Sequence, residues 1–419
     1  MVYTIYMKKK KRVKIKYRSF AILFGVIFVI IFLINISFGK SDNNDKKVII
    51  NDNFVGMNES DVSNLCEEQK LKCNFLYEFS NKIDKSLVIN FNKNNNEYFI
   101  NVSKGRITSD ILLEKKVNEL GKVPIMMYHG IVNQEETKYT GGNVDKDGYN
   151  RTSNAFRSDL EFYYQNGYRM VRLIDYVNGD IDVELGLSPI VLTFDDGNQN
   201  NFNVLGRDDS GNLIIDPDCA VGILEEFKKK YPDFNVTATF FLMNDLFNQK
   251  EYNEEIMKWL VDNGYDIGNH TTNHSDFTTI NPSKTEEVVG KMYQKLESIL
   301  GDKYVPIIAL PYGSPYKNTH TNYPYILKGE YEGFNYETVS ALRVGWDSEV
   351  SPFDKNFDKT FLKRCRAYDN NGVEFDIEMV FKYLESTRYI SDGNKDTITI
   401  KESDASKLGN NLIKEIIKY

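Results

Sequence analysis

Apolar and polar positions along the chain change period several times, and each change marks an element. Phe20 to Phe38 is a run of 19 residues without a charge, broken only by Gly25, Asn35 and Ser37. That is long enough to cross a bilayer as a helix. Lys40 to Lys47 is polar, and a small α/β pattern then occupies Val48 to Gly105. It predicts a helix over Asp61–Gln69, with Val62, Leu65 and Cys66 on one face, and strands over Lys72–Tyr77, Ser86–Phe91 and Tyr98–Ser103. Ile107 to Gly121 predicts a connecting helix.

From Val123 onward short apolar runs alternate with longer runs of helical period. The predicted strands are 123–128, 190–194, 236–242, 266–268, 307–310, 338–342 and 397–401. The predicted helices are 153–166, 219–231, 254–263, 284–300 and 376–385, and 206–217 reads as a polar loop. Strand–helix alternation of this kind makes a parallel sheet, here an α/β fold of the distorted or incomplete parallel β/α barrel type. No internal repeat or low-complexity domain interrupts it.

Charge orients the chain. The first 19 residues hold eight Lys or Arg and no acid, which leaves the rest at −16 against −8 for the whole. A basic flank stays in the cytoplasm, so 20–38 predicts a single-pass anchor, with everything after Gly39 extracytoplasmic. A cleaved signal peptide ending near Ser37-Phe38-Gly39 is the rival reading, but the apolar run exceeds a usual signal core. No cysteine follows the run, which excludes a lipoprotein anchor. The acidic body argues against nucleic acid and other polyanions as partners and leaves a neutral glycan or peptide open. None of the four cysteines forms a C-x-x-C pair, which argues against a thiolate zinc site. Cys66 and Cys73 are close enough to pair in an oxidising compartment. Two free thiols remain an equal alternative.

The chemistry concentrates at two clusters. In P-I-V-L-T-F-D-D-G, Pro189 to Gly197, an apolar strand ends abruptly in two carboxylates. Unpaired burial would cost them several kcal/mol, so Asp195 and Asp196 belong at the strand's carboxyl end, where α/β folds place their sites. Downstream, His270 and His274 lie four residues apart, and on a helical turn both rings would reach one ion. Thr271 holds the place where zincins carry their base, so a carboxylate of the Asp pair must serve. One carboxylate with two imidazoles leaves an open coordination position, and the second carboxylate is free as a base. Non-haem iron oxygenases use the same ligand set. Their sites usually begin H-x-D or H-x-E on a jelly roll, whereas here the carboxylate comes first in an α/β pattern.

T-F-D-D-G at Thr193–Gly197, T-A-T-F-F-L at Thr237–Leu242 and H-T-T-N-H at His270–His274 resemble the polysaccharide deacetylases, the NodB-homology or carbohydrate esterase family 4 enzymes. The resemblance covers about residues 123 to 400. It implies a NodB-like barrel, Asp195 as general base, and Asp196, His270 and His274 around a divalent metal, with Zn2+ the expected ion. Two motifs depart from the family. Ala309-Leu310-Pro311-Tyr312-Gly313 keeps P-Y-G but has Ala309 where the family carries the arginine that orients its catalytic Asp. The C-terminal L-x-H that supplies the acid is missing, because the last histidine is His320. The circularly permuted branch, similar to poly-N-acetylglucosamine deacetylases, lacks that arginine and places the acid on an early strand. P-I-M-M-Y-H-G-I at Pro124–Ile131 resembles it and implies His129 as the acid. Pro311 and Tyr312 are then the oxyanion and substrate-binding residues, and Trp346 lines the groove or packs in the core. Arg364 resembles a position near the domain end and is expected to be structural, and His320 to be an exposed loop residue.

Phe54–Val62, Leu71–Tyr77 and Ile100–Gly105 in turn resemble a PASTA domain, which implies contact with peptidoglycan or another module. The expected organisation is a cytoplasmic segment 1–19, an anchor 20–38, a PASTA-like module 48–105, a linker helix 106–122 and a deacetylase domain 123–419. The expected activity is metal-dependent N-deacetylation of a glycan polymer, peptidoglycan first and poly-N-acetylglucosamine next. The alternative is a catalytically silent glycan-binding wall protein on the same scaffold.

Overall fold

The computed structural model describes residues 53–80, 82–94, 97–133, 149–345, 347–373 and 375–419. The predicted anchor lies outside them, and no helix among the described residues is long and apolar enough to cross a membrane. The N-terminal module has helix α1 (Glu59–Glu68) followed by β1 (Lys72–Glu78), β2 (Val88–Asn94) and β3 (Glu97–Ser103) in the order β1-β3-β2. Asn58 caps α1 by accepting from the Ser60 N–H. Its core is Phe54, Val62, Val88, Tyr98, Ile100 and Val102. Cys66 and Cys73 form a disulfide, which settles the pairing that spacing left open.

The predicted linker helix is shorter than its pattern. Helix α2 spans only Ser109–Lys115 and ends where Lys116 turns left-handed. Beyond it the chain makes a turn at 119–121, and Asn118, Lys122 and Val123 on either side of that turn bridge to Ile390, Arg388 and Glu349. Those backbone partners come from the far end of the chain, so local periodicity could not announce them.

The sheet contains β4 (Ile125–Tyr128), β7 (Tyr168–Met170), β8 (Ser188–Phe194), β11 (Thr239–Leu242), β12 (Asp266–Asn269), β13 (Ile307–Ala309), β16 (Ser340–Leu342), β17 (Phe361–Leu362) and β18 (Cys365–Arg366). Four short pairs among the described residues lie outside this sheet: β5 (Gly130–Val132) with β6 (Asn150–Thr152), β9 (Val204–Arg207) with β10 (Leu213–Ile215), β14 (Lys328–Tyr331) with β15 (Phe334–Glu337), and β19 (Thr397–Ile400) with β20 (Glu415–Lys418). The sheet's order is β17-β16-β13-β12-β11-β8-β4-β18, with β7 also on β8, and every pairing is parallel. β17 and β18 sit at opposite ends of this order, yet only Lys363 and Arg364 separate them in the chain. The two edges must therefore approach each other, and the sheet curls into a half-barrel with Arg364 at its seam. Gly345 permits the approach: a Cβ there would lie 1.9 Å from the Arg364 carbonyl oxygen.

Side chains alternate between two cores, as strand geometry requires. Met126, Leu192, Phe240, Ile267 and Ile308 face the layer that also holds Phe156, Leu224, Leu260 and Val289 of the surrounding helices. Ile125, Val191, Phe241, Ile307 and Leu362 face the barrel interior. β8 is buried along its whole length, as a parallel strand covered on both sides should be. Two expectations fail at the periphery. The predicted 206–217 loop contains the β9–β10 hairpin. The predicted strand 397–401 is real, Thr397–Ile400, but pairs with Glu415–Lys418 in a separate two-stranded sheet.

That C-terminal segment is tied down by Glu119. Its carboxylate accepts from the Tyr389 hydroxyl at 2.8 Å, the Asp392 N–H at 3.2 Å and the Thr399 N–H at 2.6 Å. Burial, then the nearby Asp392 charge, pushes its pKa up from 4.5 to about 8. Between those values the folded state holds the proton that the unfolded state has released, so stability falls as pH rises. Thermal unfolding at pH 5 and pH 8 should show wild type losing on the order of 2 kcal/mol, and Glu119→Gln losing much less. A wild type that gains stability over this range would refute the assignment.

Candidate active site and metal centre

A parallel sheet brings all its carboxyl ends to one rim, and that rim collects the chemistry. His129 follows β4, Asp195 and Asp196 follow β8, His270 and His274 follow β12, and Pro311 and Tyr312 follow β13. Alternation then sorts the side chains. Positions 129 and 195 share parity with the interior residues Ile125 and Val191, so His129 and Asp195 turn inward. They are 7% and 2% exposed.

His270 Nε2 lies 3.2 Å and His274 Nε2 3.7 Å from Asp196 Oδ1. The three residues bring one ligand atom each within 4.8 Å of one another. His270 Nδ1 lies 2.8 Å from the Ala309 carbonyl oxygen. A carbonyl only accepts, so Nδ1 carries the proton and the Nε2 lone pair faces the cluster. That buried Nε2 makes no hydrogen bond. An orphaned imidazole nitrogen beside a carboxylate and a second imidazole is the donor set of a divalent metal.

The two histidines do not sit on the helical turn that their spacing suggested. They belong to an irregular loop in which Thr271 (φ 65°) and His274 (φ 53°) are left-handed. Asn269 stabilises the loop, accepting from the Thr271 N–H at 2.7 Å and donating to the Val289 carbonyl at 3.0 Å. Asp196 (φ 76°) and Tyr312 (φ 57°) are left-handed as well. Such backbone costs on the order of 1–3 kcal/mol per residue and persists where surrounding contacts over-determine it. Gly197 (φ 64°) completes the turn after the Asp pair, and a Cβ there would lie 2.4 Å from the Leu246 carbonyl oxygen.

Residues 183–324 match the polysaccharide deacetylase family. This stretch is a polysaccharide deacetylase domain. Among solved structures, the chain is similar to the deacetylase PplD of Streptococcus pyogenes, determined in complex with acetate. The identity is 18% and the TM-score 0.44, over 64% of this chain and 98% of that one. A de-N-acetylase from Aggregatibacter actinomycetemcomitans aligns at 14% identity and TM-score 0.41, over 63% and 99%. A family 4 carbohydrate esterase from Bacillus anthracis aligns at 20% identity and TM-score 0.26, over 55% and 85%.

The matched stretch of the deacetylase domain contains both Asp residues, His270, His274, Pro311 and Tyr312, but neither His129 nor Arg364. Folding brings both to the same rim. His129 Nε2 lies 3.9 Å from Asp195 Oδ2. Asn201 holds its backbone, donating to the His129 carbonyl at 2.6 Å. The exposed Tyr149 ring stands edge-to-face against the imidazole, 5.1 Å between centroids. Tyr312 is 57% exposed at the mouth, its ring 4.4 Å from that of His274. Pro311 is buried beneath it. Trp346 lies outside the described residues. His320 is half-buried, not exposed, and its Nδ1 accepts from the Asn322 N–H at 3.2 Å.

Arg364 is the residue that sequence reasoning undervalued. It is fully buried and grips Asp195 with both arms, Nη1 to Oδ1 at 2.7 Å and Nη2 to Oδ2 at 2.6 Å. Its Nε donates to the Arg343 carbonyl at 2.8 Å. It therefore supplies, from the barrel seam, the guanidinium that Ala309 cannot. L-K-R-C-R-A, with three basic residues in six, carries no pattern that ties Arg364 to residue 195. Burial pushes the Asp195 carboxyl up, but Arg364 outweighs it and holds the group below the usual carboxylate range. Burial also lowers the His129 imidazole, against the pull of Asp195 and Asp196. Arg364→Met strands a buried carboxylate and should cost about 3–5 kcal/mol in denaturant unfolding. Adding Asp195→Asn should recover much of that loss. Strictly additive losses would show that the two side chains do not act as a pair.

Proposed function

We propose that the chain is a membrane-anchored, extracytoplasmic, metal-dependent N-deacetylase of an amino-sugar polymer. The observation that carries this reading is the convergence of His129, the Arg364-held Asp195 and the Asp196–His270–His274 cluster on one rim. Asp196, His270 and His274 would hold the ion, with Zn2+ expected from an Asp/His donor set that leaves one position open. Such an ion supplies Lewis-acid chemistry, lowering the pKa of water and polarising an acetamide carbonyl.

The protein's own groups supply the proton transfers and the orientation. Asp195 is kept anionic by Arg364, so it can take a proton from the attacking water. Arg364 also fixes both carboxylate oxygens, and the base cannot rotate away from its partner. The Tyr312 N–H is the proposed donor to the developing oxyanion. His129 gives the proton to the leaving amine; the charges of Asp196 and, before it takes up its proton, Asp195 favour the imidazolium. Acetate and a free sugar amine result. A histidine acid on the first strand of the sheet, ahead of the D-D-G strand, supports the circularly permuted branch.

The 48–105 module is proposed as PASTA-like and the 20–38 run as the anchor. The Cys66–Cys73 disulfide supports an oxidising, extracytoplasmic setting. Peptidoglycan is the favoured substrate, with poly-N-acetylglucosamine or another exopolysaccharide next. The silent glycan-binding alternative draws on the missing motif arginine and the unusual position of the acid; the Arg364 grip on Asp195 weighs against the first of these grounds.

Equilibrium dialysis of the full-length chain should find one Zn2+ bound, lost in His270→Ala and retained in Asp195→Asn. Equal binding by wild type and His270→Ala would eliminate the assigned site. Acetate release should be measured on purified peptidoglycan and on poly-N-acetylglucosamine. Asp195→Asn and His129→Ala should each lower the rate at least about 100-fold. Metal bound without acetate release from either polymer would reject N-deacetylation of these substrates.

A further inference from the structure

The His129 imidazole is placed without help from its own ring nitrogens. Among the described residues its buried Nδ1 makes no hydrogen bond. Its Nε2 stands 3.9 Å from Asp195 Oδ2, beyond hydrogen-bond reach. His270 on the same rim differs, with Nδ1 anchored on the Ala309 carbonyl. Direction at His129 must therefore come from its backbone and its neighbours. Gly130, the next residue, donates its N–H to the Tyr149 carbonyl at 3.1 Å, and the Tyr149 ring stands against the imidazole. β5 then pairs with β6 in the register Gly130↔Asn150, Ile131↔Arg151 and Val132↔Thr152. A two-stranded pair of this length is marginal by itself.

One buried guanidinium fastens that pair. Arg151 Nε donates to Asp159 Oδ2 at 2.9 Å and Nη2 to Oδ1 at 2.6 Å, and both side chains are buried. Asp159 belongs to the helix Ser153–Gln165 that follows β6. Arg151 Nη1 also reaches Asp369 Oδ2, just past β18, at 2.6 Å. Asp159 Oδ2 in turn accepts from the Tyr128 hydroxyl at 3.0 Å, and that hydroxyl lies 2.8 Å from the hydroxyl of Tyr163. Tyr128 directly precedes His129. Its ring stacks on Phe194, the residue before Asp195, with 5.3 Å between centroids. Successive side chains on a strand point to opposite faces, so a phenol fixed on the outer face sets the pitch of the imidazole on the inner one. The Arg151–Asp159 pair grips the chain on both sides of His129, through Tyr128 before it and through β6 after it.

Stability alone does not call for charge in this place. Apolar side chains of similar volume often replace a buried ion pair with no loss of stability, or with a gain. We propose that Arg151 and Asp159, with Tyr128, are positioning residues that aim the His129 imidazole at the leaving amine. The proposal rests on the deacetylase reading. It concerns the step in which the C–N bond breaks and the nitrogen takes the His129 proton.

The test compares leaving groups. Nitrophenolate leaves as an anion, whereas an amide nitrogen must be protonated to leave. Arg151→Met with Asp159→Leu exchanges the pair for apolar groups. Tyr128→Phe removes one hydroxyl and serves where the double variant fails to fold. In the full-length chain supplied with Zn2+, acetate release from peptidoglycan or poly-N-acetylglucosamine should fall at least about tenfold in the double variant and about threefold in Tyr128→Phe, in kcat rather than KM. Hydrolysis of p-nitrophenyl acetate should fall less than about twofold. His129→Ala should show the same selectivity for the amide. Equal losses on amide and ester, or no loss on either, overturn the proposal. The chain has four histidines, so ring NMR of the metal-free protein gives a second readout. The His129 signal, identified by its absence in His129→Ala, should broaden or double in the variants while the His320 signal stays single. An unchanged His129 signal also overturns the proposal. A disturbed His129 signal in the variants, with no acetate release by wild type, upholds the positioning of the ring and refutes the deacetylase reading instead.

Discussion

The site depends on one buried ion pair. Asp195 stands at the end of the central strand and Arg364 at the seam where the curled sheet nearly closes, and 169 residues separate them in the chain. Neither is tolerable alone in that interior, because an unpaired buried charge costs several kcal/mol. Together they fasten the seam to the middle of the sheet. The Arg364 Nε bond to the Arg343 carbonyl carries the same lock into the loop after β16. Forming the seam and placing the Asp195 carboxylate are one event, so a barrel that failed to curl would also lack an oriented carboxylate.

Around that pair the backbone is held in conformations it would not choose. Asp196, Thr271, His274 and Tyr312 all have positive φ, and all lie on loops that leave the carboxyl ends of strands. A rigid sheet beneath them and hydrogen bonds such as those of Asn269 hold the strain in place. The gain is direction: a strand followed by a left-handed residue aims successive side chains into one small volume, where regular structure would scatter them. His270 shows the result, with Nδ1 committed to the Ala309 carbonyl and Nε2 left to face the cluster.

Position 309 shows how a motif can be absent while its task is performed. Its side chain carries no charge, but its carbonyl fixes the His270 tautomer, and the guanidinium at Asp195 arrives from the link between β17 and β18. A comparison restricted to the matched stretch, 183–324, would see a gap. In the fold both Arg364 and His129 reach the rim, because parallel strands share their carboxyl ends regardless of their order in the chain.

Much of this fold is legible in the residue pattern. Short apolar runs bounded by turn residues located β4, β8, β11, β12, β13 and β16 but not the outlying hairpins β9–β10 and β14–β15, because a buried parallel strand needs a nearly continuous apolar stretch. An abrupt Asp-Asp after such a run marked the rim, since those charges cannot continue inward. What depended on distant partners was not legible. The linker helix stopped early because residues 118–123 pair with segments near 349 and 390. The H-x-x-x-H spacing suggested a helical turn, but a strained loop brings the rings together. Arg364 read as structural because nothing local connects it to Asp195. The sequence by itself determined the strand–helix alternation, the polarity of the sheet and the residue types at its rim, since each follows from short-range pattern and the cost of burying charge. Only the tertiary structure decided which arginine holds Asp195, how the barrel seam closes and how the two imidazoles share one carboxylate. Those depend on contacts across the curled sheet that have no signature in local periodicity.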